Sequence, residues 1–414
     1  MKSSSIISDL KSIDKGVQFT ILIAALGYFV DAFDLLLFSA VRVASLKSIG
    51  VPESDLLSTG VLLINVQMAG LVLGGFLWGI LGDKFGRLSV LLGSIFIYSA
   101  ASFANAFVDT VPAYTVWRFI AGVGLAGELG VGVALASEIM PQRYRGLGTA
   151  FIATIGMLGC VCAGLVADLM DWRTAYIVGG VLGFLLLFLR MRMKESNMYL
   201  TLAKKPKIKR GSLLVLLKPK PLKRYAAIIL VPLPLLVMLW IFVAFTPEFA
   251  KALGMTAVVQ TGKAIMFAYI GMTIGDAASG IVSQLWHSRK KAIVLFIGML
   301  AAAAFIHLTQ NHDSAQMFYA SCLLMGITGG YWILVIQMAA EQFGTNLRAT
   351  VATSVPTMAR GALLIPMTMA FKALVPVWGV IYSGAAIMAL TLVLALVGLY
   401  CLKESFNADL DFVD

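Results

Sequence analysis

Charge is scarce in this chain. Asp, Glu, Lys and Arg make up 13% of its 414 residues, about half the share found in a soluble globular domain. Histidine and cysteine are scarcer still, at three and four residues. Cys160 and Cys162 are separated by one residue, and no His lies near them. That spacing suits neither a metal site nor a disulfide scaffold, so the cysteines read as small apolar packing groups. The start, MKSSSIISDLKSIDKG, is polar and lacks a signal-peptide pattern. No nucleophile–base or metal constellation can be assembled from so few reactive groups. A soluble enzyme, a disordered chain and a secreted disulfide domain are excluded, and no cofactor is expected. Acids are the rarer sign, with 21 against 32 basic residues and a net charge of +11. In a soluble protein that excess would suggest nucleic acid. Here it has another reading.

What the chain has in abundance is hydrophobic sequence, 60% of all residues, with a mean hydropathy of +0.91. About 20 apolar residues cross a bilayer as a helix. Twelve such runs occur, at 17–41, 58–81, 89–108, 112–140, 147–168, 174–190, 225–247, 261–285, 292–308, 315–340, 349–371 and 377–401. An even number puts both termini on one side. With the termini inside, 24 of the Lys and Arg residues fall on that side and six on the other, Arg42 among the six. Basic residues accumulate on cytoplasmic loops, so both termini are expected in the cytoplasm, in a plasma membrane of the bacterial inner type. The one long loop, with KKPKIKR and KPKPLKR, divides the spans six and six. The expected organisation is an N-terminal bundle over 1–190, a basic linker over 191–224 that lies beside anionic headgroups, and a C-terminal bundle over 225–414.

The halves resemble each other at an offset of 203 residues. It carries Glu138 onto Glu341, Arg145 onto Arg348, Arg87 onto Lys290 and Gly127 onto Gly330. Two homologous six-helix bundles with a cavity between them form a transporter architecture.

The sharpest local pattern is Gly79-Ile-Leu-Gly-Asp83-Lys-Phe-Gly86-Arg87, between spans two and three. Gly86 permits a turn closed to most residues. Asp83 and Arg87 can pair with each other or with nearby helix ends. Here the chain resembles the major facilitator superfamily, whose signature in this loop is G-x-x-x-D-x-x-G-R. The resemblance implies an all-α membrane protein of twelve helices in two pseudo-symmetric bundles. It also implies a gating cluster of Gly79, Asp83, Gly86, Arg87, Glu138 and Arg145, with Glu341 and Arg348 as the second-half counterparts. The second loop, LWHSRKK at 285–291, keeps the bases but lacks the acid and the glycines, which puts a symmetric second latch in doubt. Trp117-Arg118 leading to Gly127-Glu128, and Asp31-Ala-Phe-Asp34 in span one, are similar to the proton-coupled organic-acid, sialate and sugar branches. Asp171-Trp-Arg173 and Glu195-Ser-Asn-Met-Tyr199 point to the same branches. Span five lacks the G-P-x-x-G-G run of drug antiporters, which tilts the reading toward uptake.

An ionisable residue in mid-membrane costs about 2.5–3.5 kcal/mol and faces a cavity or a partner. The candidates are Asp31, Asp34, Arg118, Glu128, Asp276 and Arg360. Asp34 and Arg118 each lie roughly 12–13 Å from the outer ends of their helices, so an ion pair is expected, either fixed or breaking during proton transfer. Asp31 is expected one turn deeper on nearly the same face. The resemblance implies that Asp34, Asp31, Arg118 and Glu128 couple protons. Arg360, between Pro356 and Pro366, is either an anion site or a structural partner of Asp276. Asn65, Gln67, Tyr331, Trp332 and Gln337 are candidate cavity groups. His307 and His312 are placed at the outer edge. The expected function is proton-coupled import of a small organic anion by a monomer in the bilayer, with a polycarboxylate siderophore among the possible cargoes. The alternatives are a proton-driven exporter of the same fold and, more remotely, a receptor that binds without transport.

Overall fold

A computed structural model describes residues 15–85, 87–139, 145–191, 218–311, 313–343 and 348–406. Every regular element among the described residues is helical. Spans one to six are Lys15–Ser48, Leu56–Phe85, Arg87–Asn105, Val111–Ile139, Arg145–Leu169 and Trp172–Arg190. Spans eight and nine are Thr261–Leu285 and Arg289–Thr309. Among the described residues nine helices are long and apolar enough to cross a membrane, and the longest continuous stretch, Ser354–Cys401, is 48 residues. That stretch contains spans eleven and twelve. Gly379, at φ 72°, divides them, and a side chain there would be strained.

Three spans are not the straight rods that their sequences suggest. Span seven begins at Pro219, inside the expected linker, because Pro219 and Pro221 fill the first helical turn, where no N–H is needed. It continues through Leu233–Val237, a π turn at Met238–Val243 and Thr246–Ala252. Span ten is interrupted between Ala315–Gly329 and Trp332–Glu341. Span eleven runs from Arg348–Met358, with Pro356 inside it, into a π turn at Ala359–Leu363. A π turn widens the helix by one residue and often marks a functional position.

Packing repeats between the halves. Span two lies on span four, and span eight on span ten. Both pairs approach through glycines. A Cβ on Gly122 would strike the Gln67 carbonyl, and one on Gly70 the Phe119 carbonyl. In the second half, Gly275 lies against Ile327 and Gly330, and Gly326 against Ala268. Lipid tails supply no hydrophobic drive, so helix association depends on such close backbone contact. Gly330, the repeat partner of Gly127, sits on the Gly275–Asp276 backbone at the break in span ten. Replacing Gly275 by Leu is expected to separate spans eight and ten and cost about 1–3 kcal/mol. A lowered thermal midpoint of the purified protein in detergent checks this; an unchanged midpoint would mean that the contact is slack.

Candidate functional site

The buried charges form three groups. The first lies within the N-terminal half. Asp34 is fully buried, and its Oδ1 accepts a hydrogen bond from Ser102 Oγ of span three at 2.5 Å. Its Oδ2 has no hydrogen-bond partner in the protein. Arg118 is equally buried and donates from Nη2 to the Gln67 carboxamide oxygen of span two. Its guanidinium lies 4.8 Å from the centre of the Phe38 ring. The expected Asp34–Arg118 ion pair is therefore not formed. Phe38 follows Asp34 by one helical turn on the same face, so a guanidinium seated on Phe38 is one turn nearer the helix end than the carboxylate. Arg118 remains within coulombic reach of Asp34.

The second group lies at the interface of the halves. Arg360 sits in the π turn of span eleven, 4.8 Å from the centre of the Trp332 ring of span ten. It faces the Tyr28 hydroxyl and is within coulombic reach of Asp31 and Tyr269. Asp31 and Arg360 line one small cavity with Leu35, Leu71, Leu125 and Thr357. Asp31 and Asp34 therefore serve different compartments. Three residues set the two side chains about 60° apart around the helix, and one carboxylate lines the Arg360 cavity while the other bonds to span three.

Asp276 does not pair with Arg360. Its carboxylate accepts from the Ile333 amide at 3.2 Å and also from the Trp332 amide. It thereby caps the second helix of span ten at the break. The Tyr331 hydroxyl donates to the Val231 carbonyl of span seven at 3.3 Å, which gives it a role in packing the two irregular spans. Gln337 Oε1 and Gln67 Nε2 are buried without hydrogen-bond partners. Asn65 accepts from Thr368 of span eleven at 2.5 Å, a bond across the halves.

The third group closes the end of the bundle that is poor in basic residues. Arg42, expected in a loop, is fully buried. Its guanidinium meets Glu248 in two-point fashion, Nη1–Oε1 and Nη2–Oε2 both at 2.7 Å. It also donates to the Leu56 and Ala244 carbonyls at 3.3 and 3.2 Å, and it lies 4.4 Å from the Phe245 ring centre. These partners satisfy a charge that would otherwise be excluded from the interior. The clasp joins span one to the last segment of span seven. Lys263 and Asp168, 3.4 Å apart, add a second contact between the halves at that end, but it is too exposed to contribute much. His307, placed by sequence at the edge, is buried among Phe242, Phe249 and Phe318 and bonded to Ser321 at 2.8 Å.

At the basic-rich end, Gly86 and His312 lie outside the described residues. So do the side chains of Asp83, Arg87, Glu128, Glu138, Arg145 and Arg348, and Gly79 is described only as part of its helix. Glu341 is described, and its partners are Arg289 at 3.2 Å and Ser405 at 2.6 Å. The acid missing from LWHSRKK is supplied by Glu404 of the C-terminal tail. It accepts from Ser288 Oγ and from the amides of Arg289 and Lys290. Burial works to raise the Glu404 carboxyl, and these bonds outweigh it, holding the group below the usual carboxylate range. The second half therefore ties this basic loop to the C-terminal tail, across 115 residues of sequence.

Sequence reasoning missed Arg42–Glu248, Tyr28, Tyr114, Tyr176 and Ser102. Their types are ordinary, and only the third dimension pairs them. Glu248→Gln is expected to leave Arg42 short of charge compensation and to open that end, since a bond to a charged group contributes about 1.5–3 kcal/mol. Maleimide labelling of a cysteine placed at Ala244, which is 1% exposed, is expected to rise about tenfold or more. Equal labelling with and without the Glu248 change would show that the clasp does not hold the end shut.

Residues 18–366 match the Major Facilitator Superfamily. A putative metabolite transport protein of Haemophilus influenzae is 28% identical over 348 residues, 79% of this chain and 82% of the relative. The niacin transporter of Acinetobacter baylyi is 25% identical over 374 residues, 80% of this chain and 82% of the relative. In fold, the chain is similar to the crystal structure of a D-xylose–proton symporter, with a TM-score of 0.72 at 18% identity, over 94% of this chain and 98% of that one. The chain belongs to the Major Facilitator Superfamily. It is an integral membrane transporter and not an enzyme.

Proposed function

We propose that this major facilitator chain imports a small organic anion together with protons, by alternating access of its two halves. The observation that carries this reading is Arg360. A guanidinium in mid-span is costly unless it serves a cavity or a partner. Here it is held over the Trp332 ring at the wall of a cavity that Asp31 also lines. Stacking on an aromatic face leaves the guanidinium edge free to grip a carboxylate in two-point fashion. The space at Arg360 is small, which favours a compact acid over the bulky siderophore. The Trp332 ring beside Arg360 favours a flat aromatic acid. The niacin transporter among the relatives carries a molecule of that kind.

In this reading residues 1–190 and 225–414 rock against each other and 191–224 links them. The basic-rich end faces the cytoplasm with both termini, in an inner membrane, and the protein acts as a monomer. Asp34 is the coupling acid, and Arg118 stabilises its charged form from one turn away. Asp31 sets the charge of the substrate cavity, and Glu128 lies further along span four. Export by proton antiport has no specific observation in its favour.

Two variants test the assignment. Arg360→Lys keeps the charge and loses the planar fork, so it is expected to weaken nicotinate or benzoate binding by about 1–3 kcal/mol in folded protein. Unchanged affinity, measured by calorimetry for every acid that the native protein binds, would make Arg360 structural. Asp34→Asn is expected to abolish accumulation driven by a pH gradient in liposomes while leaving exchange of labelled for unlabelled substrate. Normal accumulation would remove Asp34 from the coupling role.

A further inference from the structure

Asp34 poses a question of access. It is the proposed coupling acid, yet it is fully buried and does not line the Arg360 cavity. A proton must reach it by some other way.

The surroundings of Asp34 are polar well beyond its own bonds. Ser99, Ser102 and Asn105 recur at three-residue spacing on span three and are all fully buried. Ser99 Oγ and both polar atoms of Asn105 have no hydrogen-bond partner in the protein, nor do Asp34 Oδ2, Arg118 Nε and Arg118 Nη1. These unsatisfied buried atoms on spans one, three and four offer partners to bridging water, because such groups are rarely left dry. Glycine leaves room beside them. A Cβ on Gly179 of span six would come 3.2 Å from Ser102 Oγ and 3.6 Å from Asp34 Oδ1.

One turn from Gly179 toward the basic-poor end stands Tyr176. Its hydroxyl is 2.7 Å from that of Tyr114 on span four. Tyr114 donates to Ser45 Oγ at 3.3 Å, and Ser45 donates to the Arg42 carbonyl at 3.1 Å. All three hydroxyl residues are fully buried. The line ends beneath the Arg42–Glu248 clasp, where the Glu248 side chain is 16% exposed. The charged and titratable groups around this line are Asp34 on span one, Arg118 and Tyr114 on span four and Tyr176 on span six. Span three contributes Ser102 and span two contributes Gln67, through its bond to Arg118.

We propose that Ser45, Tyr114 and Tyr176 form a proton relay that loads Asp34 from the basic-poor end, by a route separate from the Arg360 cavity. The inference rests on Asp34 as the coupling acid. Each hydroxyl accepts a proton on its oxygen lone pair and releases its own to the next oxygen inward. The final transfer, between Tyr176 and Asp34 within coulombic reach of each other, passes through bridging water beside Gly179 to the Asp34 carboxylate. Net, one proton leaves external water and one carboxylate becomes a carboxylic acid. Tyr114 donates toward Ser45, so Tyr176 donates toward Tyr114. That polarity is the one an inward transfer leaves behind, and rotation of the hydroxyls resets it. Separate routes let the carrier hold its proton while the substrate cavity changes sides.

The test follows Asp34 itself and needs no substrate. Full-length protein in detergent is taken through a rapid pH drop, and the carboxylic C=O stretch, assigned by its loss in Asp34→Asn, is followed by time-resolved infrared spectroscopy. Tyr176→Phe and Tyr114→Phe are each expected to slow protonation of Asp34 at least tenfold while leaving its titration midpoint where it was. Gly179→Ala, which narrows the space beside Asp34 without removing a hydroxyl, is expected to slow it as well. Native rates in both tyrosine variants would overturn the relay. So would a shifted midpoint with proportionate rates, which would make the tyrosines part of the environment of Asp34 and not its route. An Asp34 that never titrates between about pH 4 and 10 would also overturn it. Protonation through the tyrosines in a protein that moves no organic acid would instead leave the relay standing and sink the transport reading.

Discussion

A guanidinium inside a bilayer must be answered by something, and three arginines of this fold are answered in three ways. Arg42 is closed off by a carboxylate, two carbonyls and a ring. Arg118 is only partly answered, by one carboxamide oxygen and a ring, and two of its nitrogens remain without partners. Arg360 is stacked on Trp332 at a cavity wall. The degree of satisfaction tracks the role assigned to each. A charge met by a carboxylate in two-point fashion holds a structure shut, one met only by a neutral group can respond to a proton, and one held at a cavity edge can take a ligand.

The scaffold makes these placements possible. Glycine-lined contacts bring spans two and four, and eight and ten, to backbone distance. Spans seven, ten and eleven then depart from regular helix beside the interface of the halves. Irregular backbone at membrane depth needs its own partners. Asp276 supplies them for span ten, and in doing so it brings Trp332 to the place where Arg360 can lie on it. The groups at the cavity are thus held from behind by side chains that never enter it.

Much of this was legible in the sequence because the bilayer imposes so few solutions. Twelve apolar runs and the loop motif gave the fold, and the costly charges pointed at Asp31, Asp34, Arg118 and Arg360. The prolines on either side of Arg360 accompany a π turn. What was not legible depended on angle and on distant pairing. Asp31 and Asp34 differ by three positions, and the pattern of span one does not reveal that they face different compartments. Depth arithmetic matched Asp34 with Arg118 but could not see Phe38 holding the guanidinium one turn away. Arg42 looked like a loop residue because its partner, Glu248, lies 206 positions on. The acid missing from the second loop motif was absent only locally, since Glu404 supplies it from the tail.

The account rests on a proton gradient moving an organic anion. Purified protein in liposomes, loaded with nicotinate, benzoate, a sugar acid or citrate in turn, with and without an inward pH gradient, measures this directly. The account requires that at least one of these acids accumulate against its own gradient only when protons flow in, with external alkalinisation to match. Movement of none of them, or equal movement with the pH gradient collapsed, would contradict it.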